Sequence, residues 1–371
     1  MKTLPPGRSA LLLLAAAGLG LAALAGTAEA GTLNVANNGQ DSTTCGAAAS
    51  PCRSISQAIA NAVAGDRIVV GPGRYGDLDG SGTFTPATGE EAAEVGSGMI
   101  KVDKAVTIES RAGAGATVLD AGGASSLGVV WIQSSGVVFG RAKKGFTLTG
   151  GDYFGLGTSG SGVTIAGNLA TGNRGAGFRV DASGSTLTGN LASDNGGDGF
   201  LLPQASSSGH LLTGNLATGN RSGFIIAGSD HRLSGNVASN NGNTGFLLLG
   251  TGHALTGSLA ASNNLVGIHV LSGTGHTVTG NGVYGNQAGG ILAEVTAVTI
   301  TQNNIMGNDP TSNCGFVNTS GGAITVPGNF WGAPGGPGAD PADNVCNMFG
   351  STTTVAPLAP KEVKGKAKPL F

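Results

Sequence analysis

The sequence predicts an all-β solenoid in which each repeat forms one coil. Three observations lead to this fold class. A Gly-Asn phrase recurs between residues 163 and 308 at intervals of 22, 25, 21, 22, 23 and 22 residues. An Asn follows every phrase five residues later, and an apolar residue precedes its last position by three. A fixed period of this kind is typical of proteins in which each repeat packs only on its neighbours.

Each repeat contains three short β-prone runs separated by Gly, Asn, Ser and Asp, a composition that disfavours a helix. If one repeat makes one coil, the runs pair in parallel with those of the next coil, and equivalent residues stack at about 4.8 Å. The last position of the phrase is Asn168, Asn190, Asn215, Asn236, Ser258, Asn281 and Asn303. The second Asn series is Asn173, Asn195, Asn220, Asn241, Asn263, Asn286 and Asn308. We expect the stacked Asn residues to form a hydrogen-bonded turn ladder. Two apolar series should fill the lumen, one three residues before the end of each phrase and one about ten residues after it, namely Phe178, Phe200, Phe224, Phe246, Ile268 and Ile291.

Two flanking segments extend the pattern, GDRIVVGPGRY at residues 65–75 and NFWG at residues 329–332. Together with the repeated phrase, they resemble the right-handed parallel β-helix proteins of the pectate-lyase-like superfamily. The resemblance covers almost the whole mature chain and implies a right-handed parallel β-helix of about ten or eleven coils. It is specific for the fold and weak for function, because that superfamily contains lyases, hydrolases, epimerases and adhesins.

Residues 1–30 have the features of a secretory signal peptide. Lys2 and Arg8 precede an apolar run at residues 10–25, and the Ala-Glu-Ala of residues 28–30 forms a small-x-small cleavage site. An uncleaved anchor is the alternative, but about 16 residues would be short for a bilayer. We expect a secreted or otherwise extracytoplasmic protein with no membrane span after cleavage.

The four cysteines are an even number in a secreted chain, which predicts two disulfides. Local pairing of Cys45 with Cys52, and of Cys314 with Cys346, is the simplest of the three connectivities. A zinc site is disfavoured, because neither pair has the spacing of a metal knuckle or an adjacent His.

The chain divides into an N-terminal cap at 31–66, a β-helix at 67–350 and a tail at 351–371 that we expect to be solvated. The cap contains an amphipathic helix over residues 54–64, begun by a Ser54–Gln57 capping box and ended by Gly65. It would cover the open end of the solenoid. The β-helix comprises an insertion at 74–99, regular coils at 163–308 and a closing segment at 309–350, where Trp331 would cover the last coil.

The insertion contains the strongest metal-binding signal in the sequence. Its ligand set would be Asp77, Asp79, Ser81, Thr83 and Glu90, which resembles the first half of an EF-hand or dockerin calcium loop. Glu91 is an alternative to Glu90. The pattern departs at loop position 12, where Thr88 replaces the bidentate Glu. The other interpretation is an acidic, solvated loop without an ion; no further cofactor is expected.

Four of the five histidines, His210, His231, His253 and His276, occupy one repeat position. Stacked side chains of this type can hold a metal. Val163, Ser185 and Val298 occupy the same position in flanking coils, which favours a structural role at the coil edge. There, mutual repulsion between imidazolium groups would lower their pKa values.

No catalytic constellation is evident, because the carboxylates of the regular coils fall at different repeat positions. The sequence therefore favours a non-catalytic cell-surface or glycan-associated scaffold, with a polysaccharide or cell-surface component as partner and no nucleic acid. The alternative is a calcium-dependent polysaccharide lyase acting on an acidic glycan. Leu201, Ile225 and Leu247 should form an aliphatic column on the outer surface, covered by the chain itself or by a partner.

Overall fold

Three parallel sheets run along the molecule, because each coil contributes one short strand to each sheet. The structure is a computed structural model that describes residues 30–94, 96–339 and 342–363. The predicted signal peptide, apart from its last residue, lies outside the described residues. The fold class is confirmed as an all-β, right-handed parallel β-helix.

The strands are numbered in chain order. The first sheet consists of β1 (Thr32–Val35), β2 (Arg67–Val70), β5 (Thr107–Ser110), β8 (Val138–Phe139), β11 (Thr164–Ala166), β14 (Thr186–Thr188), β17 (Leu211–Thr213), β20 (Arg232–Ser234), β23 (Ala254–Thr256), β26 (His276–Thr279) and β29 (Val298–Thr301). The second sheet consists of β3 (Gly73–Gly76), β6 (Thr117–Asp120), β9 (Thr147–Thr149), β12 (Leu169–Thr171), β15 (Leu191–Ser193), β18 (Leu216–Thr218), β21 (Val237–Ser239), β24 (Leu259–Ala261), β27 (Gly282–Tyr284) and β30 (Asn304–Met306).

The third sheet consists of β4 (Gly98–Val102), β7 (Gly128–Ile132), β10 (Phe154–Thr158), β13 (Ala176–Val180), β16 (Phe200–Leu202), β19 (Phe224–Ile226), β22 (Phe246–Leu248), β25 (Val266–Val270), β28 (Gly289–Ala293), β31 (Cys314–Asn318) and β33 (Asn344–Asn347). A separate pair is formed by β32 (Ala323–Thr325) and β34 (Thr352–Thr354). A short 3-10 helix at Pro86–Thr88 lies in the insertion.

The lumen is filled by apolar side chains that stack on their own equivalents. The rings of Phe178, Phe200, Phe224 and Phe246 are fully buried, with centroids 5.0, 4.6 and 4.8 Å apart. Their near-parallel stacking follows from the coil spacing of about 4.8 Å. The predicted inward apolar series is therefore confirmed for the regular coils.

The N-terminal helix α1 (Ile55–Asn61) lies against the first coils and buries Ile55 and Ile59. Its start differs in part from the predicted capping box. Ser54 Oγ accepts from the Gln57 amide at 3.1 Å, as expected. The Ser54 amide, which Gln57 would bind in a capping box, instead donates to Asp41 Oδ1 at 2.9 Å. Glu91 of the insertion accepts from the next two amides, those of Ile55 and Ser56, at 2.9 and 2.7 Å. Burial raises the pKa of Glu91, and the hydrogen bonds from Ser56 and Ile55 oppose that rise.

The helix ends earlier than the sequence predicts, because its last turn is capped by a distant cation. Ala62, not Gly65, is the C-cap residue and has an extended backbone. Lys104 Nζ donates to the carbonyl oxygens of Ile59, Ala60 and Ala62 at 2.8, 2.8 and 2.9 Å. A lysine amine can satisfy the carbonyls that a helix end leaves free, so no glycine cap is needed.

The C-terminal end continues the coil beyond the predicted regular region. Strands β31 and β33 extend the third sheet, and the Cys314–Cys346 disulfide joins them. The Cys45–Cys52 disulfide lies near the other end, so both predicted pairings are confirmed. Trp331 is fully buried in the hydrophobic core. At the start of the predicted tail, residues 352–354 form strand β34, in which Thr352 and Thr354 are exposed.

The two Asn series form ladders that satisfy the buried backbone at two corners of every regular coil. Asn215 Oδ1 accepts from both the main-chain and side-chain nitrogens of Asn190, each at 3.0 Å. Its Nδ2 donates to the Leu187 carbonyl at 2.9 Å. Gly214 turns the chain into this position with φ of 62°, a conformation that favours glycine. The same pattern repeats along both ladders, and Ser258 replaces Asn once.

The histidine column is buried rather than at the coil edge, which corrects the expectation from sequence. The backbone amides of His210 and His231 donate to Nδ1 of His231 and His253 at 3.1 and 3.3 Å. Nε2 of His231 and of His253 lies 2.8 and 2.7 Å from a carbonyl oxygen four residues earlier. Because an amide can only donate, each of these imidazoles accepts at Nδ1 and carries its proton at Nε2, and is therefore neutral.

Burial, rather than mutual repulsion, is the main cause of the low basicity of this column. Desolvation lowers the pKa of His210, His231 and His253 from 6.5 to about 4. The charge of a neighbouring histidine lowers the pKa of His231 and His253 further, but hydrogen bonds to backbone carbonyls oppose the shift.

The first prediction concerns the Asn ladder. In Asn215→Ala, the buried amide groups of Asn190 and the Leu187 carbonyl lose their partners, and each unsatisfied group costs about 1–3 kcal/mol. We expect the free energy of unfolding, measured by urea titration, to fall by roughly 2–5 kcal/mol. Asn215→Ser should lose less, because Ser258 already accepts an amide in this ladder. Asn243→Ala, outside both ladders, should change stability little; equal losses in all three variants would contradict the ladder.

The second prediction concerns acid. Below pH 6.5 these histidines become protonated in the unfolded chain, whereas in the folded state they stay neutral until the pH approaches about 4. The free energy of unfolding should therefore fall as the pH drops from 6.5 to about 4 and then level off. The His231→Asn/His253→Asn variant should show a shallower fall in melting temperature between pH 7.5 and pH 5. Asn243→Ala, outside the column, removes no titratable group and should retain the wild-type slope. A double variant with an unchanged slope would refute the role of the column.

Candidate functional site

The insertion brings together three of the predicted calcium ligands. One carboxylate oxygen each from Asp77, Asp79 and Glu90 lies within 4.8 Å of the others. Asp77 and Glu90 are buried, whereas Asp79 is exposed. Hard oxygen donors at this separation have the chemistry that a calcium ion requires.

The same carboxylates are bound by backbone amides. Asp77 accepts from the amides of Gly80 and Gly82 at 2.7 and 2.8 Å. Glu90 accepts from the amides of Leu78 and Thr85 at 2.8 and 2.7 Å. These donors offset the proximity of two buried negative charges, so the loop has a structural explanation that does not depend on an ion.

The remaining predicted ligands lie at the exposed edge of this loop. The Ser81 hydroxyl donates to the Thr83 carbonyl at 3.2 Å and lies 2.8 Å from the Thr83 hydroxyl. Hydrogen bonds from Ser81 lower the pKa of Asp79, which keeps that carboxylate ionised. Glu91, the alternative ligand, instead accepts hydrogen bonds from the amides at the N-terminus of α1.

A second charged cluster lies on the outer face of the first sheet, around Glu109. This carboxylate is almost fully buried, yet it contacts three cations. Arg67 forms a short ion pair with it, Arg141 Nε lies 3.2 Å away, and Lys144 Nζ lies 3.1 Å away. Burial alone would raise the pKa of Glu109, but the hydrogen bonds and charges of Arg67 and Lys144 outweigh it and lower the pKa.

This cluster carries a net charge of about +2, because one carboxylate faces three basic groups. The side chains of Arg67, Arg141 and Lys144 are 39, 57 and 46% exposed, so a ligand can reach them from solvent. Their contacts with the buried Glu109 carboxylate fix their positions. Two further basic residues, Arg111 and Lys143, are close in the chain to Glu109 and Lys144.

Sequence reasoning missed this cluster. Glu109 and its partners Arg67 and Lys144 are 42 and 35 residues apart, because the insertion and irregular early coils interrupt the 22-residue period. The sequence feature that could have indicated the cluster was a single Glu in a β-prone run. It stands at a position whose side chain points to the outer face, because side chains alternate along a strand.

The carboxylates of the regular coils do not converge on one another in the described residues. Three of the five form separate pairs with nearby bases, Asp181 with Arg179 at 3.0 Å, Asp198 with Arg221 at 2.6 Å, and Glu294 with His269 at 2.8 Å. A carboxylate already paired with its own base is poorly placed to share a substrate with another carboxylate several coils away.

The predicted aliphatic column has the expected geometry. Leu201, Ile225 and Leu247 pair in register on β16, β19 and β22. Each is half-buried, between fully buried residues that point into the lumen. The three side chains therefore lie on the outer face of the third sheet.

Comparison with solved structures gives the same architecture. The A-module of Azotobacter vinelandii mannuronan C-5 epimerase AlgE6 is 20% identical, with 82% of this chain and 91% of that chain covered and a TM-score of 0.61. Pectate lyase Pel9A is 18% identical, with coverage of 92% and 82% and a TM-score of 0.53. A rhamnogalacturonan lyase is 14% identical, with coverage of 88% and 87% and a TM-score of 0.50. At these identities the likeness shows the fold alone.

A protein-family model described as periplasmic copper-binding protein (NosD) matches residues 59–254 and 204–336. No curated protein matches the chain. Within the described ranges, no helix is long and apolar enough to cross a membrane. The periplasmic description confirms the predicted extracytoplasmic location. Since the family model spans about three quarters of the 371 residues, the chain belongs to the NosD family of periplasmic β-helix proteins.

Proposed function

We propose that the protein is a non-catalytic extracytoplasmic scaffold that holds an anionic glycan at the Glu109 cluster. The observation that carries this proposal is the arrangement of Arg67, Arg141 and Lys144 around one buried carboxylate. Glu109 neutralises about one of the three positive charges and fixes the direction of the basic groups.

An anionic ligand complements the charge that remains. Three cations within about 3 Å of the same carboxylate repel one another, and this repulsion decreases when a second anion binds from solvent. The exposed basic groups are already held in place, so binding orders few side chains and loses little conformational entropy. Guanidinium and ammonium groups both bind carboxylates and sulfates.

The extracytoplasmic location favours a glycan over a nucleic acid as the source of this anion. A polymer with one carboxylate per sugar offers several charges in a row, and the rigid solenoid presents its basic residues on a fixed surface. The separate acid–base pairs of the regular coils support a holding role rather than a chemical step.

The test is binding of polygalacturonate and alginate, measured by affinity electrophoresis and titration calorimetry in low salt. Removing two surface charges should cost about 1.4 kcal/mol, so Arg141→Ala/Lys144→Ala should bind about tenfold more weakly. Arg174→Ala, which removes an exposed arginine elsewhere, should bind as the wild type does. Neutral dextran should not bind.

Two results would contradict the proposal. Equal affinity of the double variant and the wild type would place the glycan elsewhere. Formation of unsaturated sugar products, followed by ultraviolet absorbance, would show a lyase and refute the non-catalytic role.

A calcium-dependent lyase for an acidic glycan is the second candidate, favoured by the Asp77, Asp79 and Glu90 cluster. If Ca²⁺ binds there, it should raise the melting temperature and release or absorb heat in calorimetry. Asp79→Ala should weaken that binding at least tenfold without endangering the fold, because Asp79 is exposed. Glu94→Gln, at an exposed carboxylate paired with Lys101, is the matched control. Absence of calcium heat in the wild type would eliminate this site.

Copper, which the family description names, was compared with the donor groups that the structure describes. All four cysteines form disulfides. The inner histidines, His231 and His253, use both ring nitrogens in hydrogen bonds. Nε2 of His210 and Nδ1 of His276 are buried without a close hydrogen-bond partner among the described residues, but they lie at opposite ends of the column. A copper site needs several nitrogen or sulfur donors together. The described donors do not fit that ion, and the proposed function assigns copper no role.

A further inference from the structure

A cavity of about 410 Å³ lies where the N-terminal cap meets the insertion. The cap contributes Asn37, Gln40, Asp41 and Arg53 to its lining, and the insertion contributes the short 3-10 helix with Gly89. We call this space the cap cavity. Its volume is near the lower end of the range for small-molecule sites, so it has room for one small ligand.

Arg53 is the basic residue of the cap cavity, and its side chain is held in place. The guanidinium carbon lies 5.5 Å from the centroid of the Tyr75 ring, and the Tyr75 hydroxyl donates to the Gly71 carbonyl at 3.0 Å. The arginine stem packs on Gly89, where a side-chain Cβ would come within 2.6 Å of Arg53 Cγ. These contacts fix the guanidinium before a ligand binds, which lowers the entropy that binding would lose.

The N–H groups of this guanidinium have no hydrogen-bond or ion-pair partner within the described part of the chain. Of its three nitrogens, only Nη1 is shielded from solvent, so a ligand can reach Nε and Nη2. Adjacent N–H groups of a guanidinium bind a carboxylate through two parallel hydrogen bonds. Arg53 therefore presents a positioned carboxylate-binding edge, unlike the arginines of the regular coils that already pair with an aspartate.

Asp41 supplies a negative charge to the same cavity. Its Oδ1 accepts from the amides of Arg53 and Ser54 at 2.7 and 2.9 Å, which fixes the carboxylate. Its Oδ2 accepts no hydrogen bond from the residues that the structure describes, and it is not shielded from solvent. The side chains of Arg53 and Asp41 do not pair with each other, so a ligand can contact both charges.

We propose that the cap cavity binds a small polar α-amino acid, with the ligand carboxylate on Arg53 and the ligand ammonium group on Asp41. A simple anion would satisfy Arg53 but would also face the Asp41 carboxylate, and a simple cation would face the guanidinium. A zwitterion complements both charges at once. Asn37, Gln40 and Thr88, which also line the cavity, are polar and favour a polar ligand. This site is separate from the glycan site proposed at Glu109.

The test is titration calorimetry of the mature chain with L-serine and L-glutamine. Two analogues of L-serine separate its charges, because 3-hydroxypropionate lacks the ammonium group and ethanolamine lacks the carboxylate. We expect at least one of the two amino acids to bind with a dissociation constant of about 1 mM or less. L-serine should bind at least tenfold more tightly than either analogue.

Two conservative variants test the charged groups. Arg53→Lys keeps the charge but loses the planar fork, so the amino acid should bind at least tenfold more weakly. Asp41→Asn keeps an oxygen for the amides that Asp41 binds but removes the charge. It should weaken the amino acid and bind 3-hydroxypropionate at least as well as the wild type does. Arg111→Lys is the matched control, because Arg111 lies outside the cap cavity and already donates to Asn34 at 3.0 Å. Thermal melting shows whether each variant is folded.

Four results would overturn the proposal. The first is absence of binding by both L-serine and L-glutamine to the wild type. Equal affinity for L-serine and 3-hydroxypropionate would show a site for simple anions. Unchanged affinity in a folded Arg53→Lys variant would put the ligand elsewhere. Finally, Arg141→Ala/Lys144→Ala should keep its affinity for the amino acid even where it loses polygalacturonate, and loss of both would show that the two ligands share the Glu109 cluster.

Discussion

The structure depends on one constraint, namely that the buried turn amides of each coil are satisfied by a side chain of the next coil. Asn suits this position because its oxygen accepts while its nitrogen donates to the preceding coil. Because every regular coil has the same buried turn amides to satisfy, Asn recurs at the same position of each repeat. It also ties the coils into one unit, since a single coil would bury donors without partners.

The ends of such a ladder need special groups. At the C-terminal end, Asn329 accepts from Asn303, and the carboxylate of Asp343 accepts from the amide and side chain of Asn308. At the N-terminal end, the insertion supplies Glu91 to the helix that covers the lumen. The segments that depart from the 22-residue repeat therefore satisfy the hydrogen-bonding groups at the ends of the solenoid. Both charged clusters also lie in or next to the irregular coils.

Stacking explains how much could be predicted from the sequence. The ladders, the Phe column and the outer aliphatic column follow from a 22-residue period, because equivalent residues in consecutive coils must lie together. The disulfides follow from an even number of cysteines in a secreted chain, two near each end of the solenoid. The Glu109 cluster and the Glu91 cap join residues at irregular separations, and no period predicts them. The stacking of the four histidines was predicted correctly, but they were expected at the coil edge and are buried. Val163 and Val298, which share its repeat position, were the apolar signal for burial.

The hydrogen bonds of the Asn ladders have a direction. The oxygen that satisfies the amides of one coil belongs to the coil that follows it in the chain, as Asn215 does for Asn190. If the polypeptide emerges from a membrane channel with its N-terminus first, every newly delivered coil completes the one before it. The most recently added coil is then always the one whose turn amides lack partners, and Asn329 and Asp343 satisfy those of the last coils. The order of export and the order of hydrogen bonding thus run in the same direction.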